Sequence, residues 1–142
     1  MSLLTSTASG FALVGWKGFL RGCLVVWLAP AGVAALALAL QLLAGTRGMG
    51  GGWSMVWQHS ILLMVTPMLS WFLLLIAAPL VPALMNRGWF GYLPALITGA
   101  AAGALVGTML GSGLLVGLGA LMLLGLRGLL GWWFPGAFQG AD

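Results

Sequence analysis

The side chains that could do chemistry are few in this 142-residue sequence, which has five basic residues, one acidic residue and one histidine. With Asp142 as the single acidic residue, no pair of carboxylates can be assembled for general acid–base catalysis or for a proton relay. A serine–histidine–aspartate set for nucleophilic catalysis is equally out of reach. We therefore expect a protein that is not an enzyme.

The histidine, His59, is the residue that most suggests a metal site. Met55 lies four residues earlier, on the same face of a helix, and a thioether with an imidazole suits Cu(I) or a haem iron. Both residues also lie among polar neighbours beside an apolar run, where a solvated histidine needs no ligand. We retain Met55 and His59 as weak metal candidates and predict no cofactor.

Composition assigns the chain to the membrane. Hydrophobic residues make up 62% of the sequence and charged residues only 4%, whereas a soluble domain carries about 25% charged residues. The basic residues stand singly between apolar runs, which argues against nucleic-acid binding and is typical of the ends of membrane spans. The single Cys23 excludes an intrachain disulfide.

Apolar runs predict the spans. The first covers residues 22–44, long enough for a ~30 Å hydrocarbon core; we interpret it as uncleaved rather than as a signal sequence. Residues 10–21 mix aromatic and basic side chains, so they form either a short interfacial helix or a frayed terminus with a few anchors. A glycine-rich loop from Gly45 to Trp53 precedes a second span, 58–84, which Pro79 and Pro82 should end or bend.

From Trp89 to Leu126 the sequence has no charge, and one helix of that length would be about 57 Å long. Two spans must share it, and the turn-like residues near its middle are Gly111, Ser112 and Gly113. We therefore predict spans 91–110 and 114–131 joined by a tight glycine-rich hairpin. The fold class is an all-α integral membrane protein with four transmembrane helices in one polytopic domain, residues 1–142.

Charge distribution predicts the orientation. With four spans, Lys17, Arg21, Arg87 and Arg127 fall on one side and Arg47 alone on the other. The positive-inside rule then places both termini in the cytoplasm, and we expect a bacterial inner (cytoplasmic) membrane. Tryptophans and other aromatic residues near both ends of the spans, such as Trp89, Phe90 and Trp132, read as interfacial anchors.

Glycines recur every four residues in the third predicted span, where small residues let helix backbones approach closely. The predicted helix-packing residues are Ala95, Gly99, Gly103, Gly107 and Gly111, with Gly113, Gly117 and Ala120 as a shorter complementary face on the fourth span. The groove would receive either the neighbouring helix of the same chain or a helix from another subunit.

These features favour a small non-enzymatic membrane subunit that packs against itself or assists the assembly of a larger complex. Its partners would be the lipid bilayer and other transmembrane helices, with no nucleic acid. One alternative is an oligomeric pore or small-solute transporter of the holin-like kind, although no span shows a polar stripe to line water. Another is a pilin-like subunit of a secretion or conjugation system, processed after the first apolar run.

Overall fold

The computed structural model describes residues 10–44, 52–111 and 113–138. The helices in chain order are α1 (Gly10–Ala44), α2 (Gly52–Asn86), α3 (Tyr92–Leu110) and α4 (Leu114–Trp133), followed by a short 3₁₀ turn, Pro135–Ala137. Within these described ranges the protein contains no strand. The predicted all-α class is confirmed.

Three helices in the described part of the chain are long and apolar enough to cross a bilayer. They cover Gly10–Leu43, Tyr92–Met109 and Leu115–Trp133. Such lengths and compositions are those of the spans of an integral membrane protein. Three of the four predicted spans therefore have a helix of the expected kind.

The remaining predicted span lies in α2, which is bent. Its pieces Val56–Met68 and Ser70–Asn86 reach the requirements of a crossing only when counted together, either as one broken span or as a re-entrant loop. The bend falls between Met68 and Ser70, just after Pro67. α2 continues through Pro79 and Pro82 and ends at Asn86, just before Arg87, where the proline pair was expected to end or bend it. Four spans therefore remain a prediction.

The chain divides into two compact units, one of residues 1–26 with 72–142 and one of residues 27–71. In the first unit, apolar side chains from α1, the second half of α2, α3 and α4 form a common core. Its most enclosed large apolar members are Phe19, Val81, Met85, Phe90, Leu126 and Leu130. In the second unit, the indole N–H of Trp27 donates a 3.0 Å hydrogen bond to the carbonyl oxygen of Pro67.

The start of α1 is interrupted at Gly15, whose φ of 64° and ψ of 166° are not helical. Phe11, Trp16 and Phe19 form edge-to-face ring pairs around this break, with centroids 5.1–6.0 Å apart. The residues after Gly15 belong to the same continuous helix as the first span. The predicted segment 10–21 is therefore divided, and only its first few residues precede the break.

Glycine also defines the connection that positions α3. Gly88 has a φ of 73°, a left-handed conformation that glycine adopts without a steric cost. Its N–H donates to the Met85 carbonyl at 3.0 Å, and the N–H of Trp89 donates to the Leu84 carbonyl at 2.9 Å. This pair of bonds is the Schellman pattern of a helix C-terminus. It ends α2 and allows α3 to begin at Tyr92.

Candidate functional site

The closest helix contact in the described structure joins α3 to α4 at Gly99, Gly103 and Gly119, which we call the glycine seam. A Cβ at Gly99 would lie 2.8 Å from the carbonyl carbon of Gly119, and one at Gly103 would lie 2.7 Å from that of Leu115. The contacts advance along α3 as they recede along α4, so the two helices run antiparallel here. Any side chain larger than hydrogen would separate the two backbones.

The other predicted helix-packing residues lie in different surroundings. Ala95 is fully buried in the core of the first unit, and Gly107 is also buried. Gly111 caps α3 in a left-handed conformation, with φ 66° and ψ 26°. Cβ atoms built at Gly111, Gly113 and Gly117 would meet nothing within 4 Å.

The α4 side of the seam is therefore formed at Gly119 and not at Gly113 or Gly117. Two residues along a helix correspond to a rotation of about 200°. A residue two positions before Gly119 thus faces almost the opposite way. Of the predicted α4 face, Ala120 lies at the seam, with its Cα 2.9 Å from a Cβ built at Gly99, whereas Gly113 and Gly117 do not contact α3 within the described residues.

Gly113, Gly117 and Leu121 form a separate surface, which we call the open face of α4. They lie four residues apart on one side of the helix, and all three are exposed, Leu121 by 69%. A Cβ at Gly128, three turns after Gly117 on the same side, would also meet nothing within 4 Å. The small residues of this face thus have no neighbouring helix among the described residues.

Contacts within the first unit place four cationic residues at one end. Gly18 lies against the Phe134 ring and Gly22 against Leu126 and Leu130, so the nearby Lys17 and Arg21 are level with the last turns of α4. The Arg127 guanidinium reaches Tyr92, the first residue of α3. Arg87 lies on the short connection before Tyr92. We call Lys17, Arg21, Arg87 and Arg127 the basic end; Arg47 lies outside the described residues.

Arg127 differs from the other three because its side chain is only 1% exposed, whereas theirs are exposed. Its Cζ lies 3.8 Å from the centroid of the Phe138 ring and 4.6 Å from that of Tyr92. A Cβ at Gly131 would lie 2.6 Å from one guanidinium nitrogen, so glycine makes the space for this side chain. None of the three guanidinium nitrogens has a hydrogen-bond partner among the described residues.

A partly open cavity lies in the core of the first unit, with an empty volume of about 410 Å³, open space at its mouth included. Side chains from α1, α2, α3 and α4 line it, and nearly all of them are apolar. Cys23 and Thr98 contribute the only thiol and hydroxyl group of that lining. The cavity therefore offers space for an apolar group but little to bind a polar one.

The metal candidates do not gain a site from the fold. His59 is exposed on α2, and it already interacts with another group of the chain. The side chain of Met55 lies outside the described part of the structure. No group of three or more His, Cys, Asp or Glu residues comes together within the described ranges. Met55 and His59 thus remain a prediction from sequence alone.

Comparison with known proteins gives no match: no family model, curated protein or solved structure is significantly similar to this chain.

The structure corrects the sequence-based roles of two residues, Phe90 and Arg127. Phe90 was expected to be an interfacial anchor, but it is fully buried in the core, whereas Trp132 is 77% exposed. Arg127 was expected to mark the end of a span, but its guanidinium is enclosed. The available signal was position, because Arg127 lies inside an apolar run several residues before the Trp132–Trp133 pair. An arginine at that depth needs a reason.

Proposed function

We propose that this protein is a small non-enzymatic membrane subunit whose open α4 face receives a helix from a second copy or from a larger membrane complex. The observation that carries the proposal is the contrast between the glycine seam, which a helix of the same chain fills, and the open face, against which no helix of the described ranges packs. Helices in lipid associate through close packing rather than through burial of apolar area. A face built of Gly113, Gly117 and Leu121 permits such packing.

The amino-acid composition supports the same proposal. One acidic residue and one histidine in 142 residues leave little for catalysis, and most of the described chain is helix of membrane-spanning composition. A protein of this kind acts mainly through the helices that it contacts. Its partners would be the bilayer and transmembrane helices, without a cofactor.

The basic end supports a topology for this subunit. Lys17, Arg21, Arg87 and Arg127 lie together in the first unit, and the positive-inside rule assigns such an end to the cytoplasm. With α2 counted as one broken span, four crossings leave both termini in that compartment. We assign the protein on this basis to a bacterial inner membrane, with a tight turn between α3 and α4 on the opposite side.

The test is the state of association of the full chain in a mild detergent, measured by native mass spectrometry after extraction from its own membrane. We expect a defined oligomer or a stoichiometric complex with another membrane protein. Site-directed cross-linking from position 117 in intact membranes should capture the same contact. A monomer in detergent, together with a lack of specific cross-links in the membrane, would refute the proposal.

A further inference from the structure

The side chain of Arg127 is the most unusual feature of the described structure. Among the described residues it is the largest fully buried side chain and the only charged one in that group. The rings of Phe138 and Tyr92 cover the guanidinium at 3.8 and 4.6 Å. Such contacts stabilise a cation through the faces of the rings, but they leave the N–H groups at the edge of the guanidinium without acceptors.

Those N–H groups require an acceptor. A guanidinium carries five N–H donors in a planar fork, and all three of its nitrogens lack a partner among the described residues. An unpaired buried charge is strongly unfavourable, and more so in a membrane, where water cannot replace the partner. The group that satisfies Arg127 should therefore be an anion that can accept from two donors at once, a carboxylate or a phosphate.

The position of the guanidinium indicates which anion is within reach. Although Arg127 belongs to α4 well before its end, the side chain extends to Tyr92, where α3 begins. The start of a membrane-spanning helix lies near the level of the lipid headgroups. At the same end, the exposed Lys17, Arg21 and Arg87 give a local excess of positive charge, which attracts anionic lipids.

Exposed apolar side chains follow Tyr92 along α3 and suit contact with a lipid chain. Leu93, Leu96 and Ile97 follow Tyr92 on α3, deeper along the helix, and all three are exposed. A phosphate held at the level of Tyr92 would allow its acyl chains to lie on such side chains. A protein carboxylate would also accept hydrogen bonds from the guanidinium. It would not, however, account for the exposed cations at this end or for the exposed apolar side chains of α3.

We propose that Arg127 binds the phosphate of one anionic glycerophospholipid, while the Tyr92 ring remains against the guanidinium. Because the side chain is enclosed, the phosphate enters by displacing the Phe138 ring, which follows the short 3₁₀ turn after α4. The interaction is bidentate and directional, so it differs from the general attraction that the exposed cations exert on an anionic surface.

The experiment measures lipid binding to the purified full chain by native mass spectrometry and by the shift of its thermal unfolding midpoint. The probes are phosphatidylglycerol, phosphatidylcholine and soluble glycerol phosphate. We expect one tightly retained phosphatidylglycerol per chain, a higher unfolding midpoint with that lipid, and little effect of phosphatidylcholine. Equal retention of the two lipids by the native chain would overturn the proposal without any variant, and so would equal stabilisation by soluble glycerol phosphate.

Variants separate Arg127 from the rest of the basic end. R127M should lower the affinity for phosphatidylglycerol by about tenfold or more, since it removes a charge-assisted bidentate contact, while R21Q should keep the single tightly bound lipid. R127K retains the charge without the planar fork and should give an intermediate affinity. This second variant keeps the test valid if R127M fails to fold. Binding that follows Arg21 and ignores Arg127 would overturn the proposal.

One further variant tests whether the chain supplies its own anion. Asp142 is the single acidic residue of the sequence, and the proposal expects D142N to leave the preference for phosphatidylglycerol unchanged. If the native chain shows no preference and D142N acquires one, Asp142 occupies the guanidinium and the lipid proposal is wrong.

Discussion

The α3–α4 pair contains two sets of glycines that look alike in sequence and differ in structure. Gly99, Gly103 and Gly119 bring two backbones into contact, whereas at Gly113 and Gly117 a Cβ would meet no other part of the described chain within 4 Å. Both sets occur at four-residue spacing in the same apolar stretch. Spacing therefore shows that a helix face consists of small residues, but only the fold shows whether another helix packs against that face.

The two sets should also respond differently to substitution. At the seam, an added methyl group must displace the backbone of a neighbouring helix, which is a rigid obstacle. At the open face, the same group meets lipid or a partner that is not part of the chain. A series of glycine variants measured in one detergent can therefore test the comparison directly.

The largest effect is expected for G103A. The new Cβ would lie within 3 Å of three backbone atoms of Leu115 and Val116, so α3 and α4 must move apart along the seam. We expect a loss of about 2–3 kcal/mol in the free energy of unfolding, measured by denaturant titration in mixed micelles. G99A should behave in the same way, because Gly99 faces the backbone of Gly119. Unchanged stability in both variants would show that the seam is not close-packed.

The next effect concerns association rather than folding. G117L adds a large side chain to the open face, so a partner helix could no longer approach it closely. We expect the fraction of oligomer or complex in native mass spectra to fall by about tenfold or more, with little change in the unfolding midpoint. A101L is the matched control, since Ala101 is exposed on α3. Equal losses in both variants would mean that added bulk, rather than the open face, causes the effect.

A smaller effect is expected at Gly111, whose role is conformational. It adopts φ 66° and ψ 26° and donates its N–H to the Gly107 carbonyl to close α3. Alanine in this left-handed conformation costs about 1 kcal/mol, and G111A should lower the free energy of unfolding by that amount. Gly113 has φ −66° and free space around it, so G113A serves as the control and should cause no loss. A reversed order of the two variants would contradict this assignment.

The helices could be predicted from sequence because their signal is local. Long apolar runs and the glycines at positions 111 and 113 predicted α3 and α4 to within a residue or two of their bounds. The break at Gly15 and the bend after Pro67 were harder, since a single glycine or proline in an apolar helix has several possible outcomes. The turn residue Ser112 lies outside the described part of the chain, so its predicted position at a membrane surface stays a prediction.

The contacts that matter for function depend on which way each helix faces, and apolar composition hides that information. In a soluble protein, the polar side of a helix shows which side is buried. Here leucines cover both the buried and the exposed sides, so Gly119 could not be distinguished from Gly117. Arg127 illustrates the same limit. From sequence, a basic residue near the end of a span is interpreted as an interfacial anchor, and only the fold shows that this side chain is buried.

The smallest effect is expected for G117A, and it tests most directly whether the open face differs from the glycine seam. Gly117 has helical neighbours on both sides, and a Cβ there would meet no atom of another described segment within 4 Å. Alanine is favoured over glycine inside helices by up to about 1 kcal/mol in water, but in lipid the backbone hydrogen bonds persist with either residue. We therefore expect G117A to change the free energy of unfolding by no more than about 0.5 kcal/mol, measured in the same titration as G103A. A loss as large as that of G103A in the monomeric protein would show that Gly117 contacts another helix of the same chain, and the distinction between a filled and an open glycine face would then disappear.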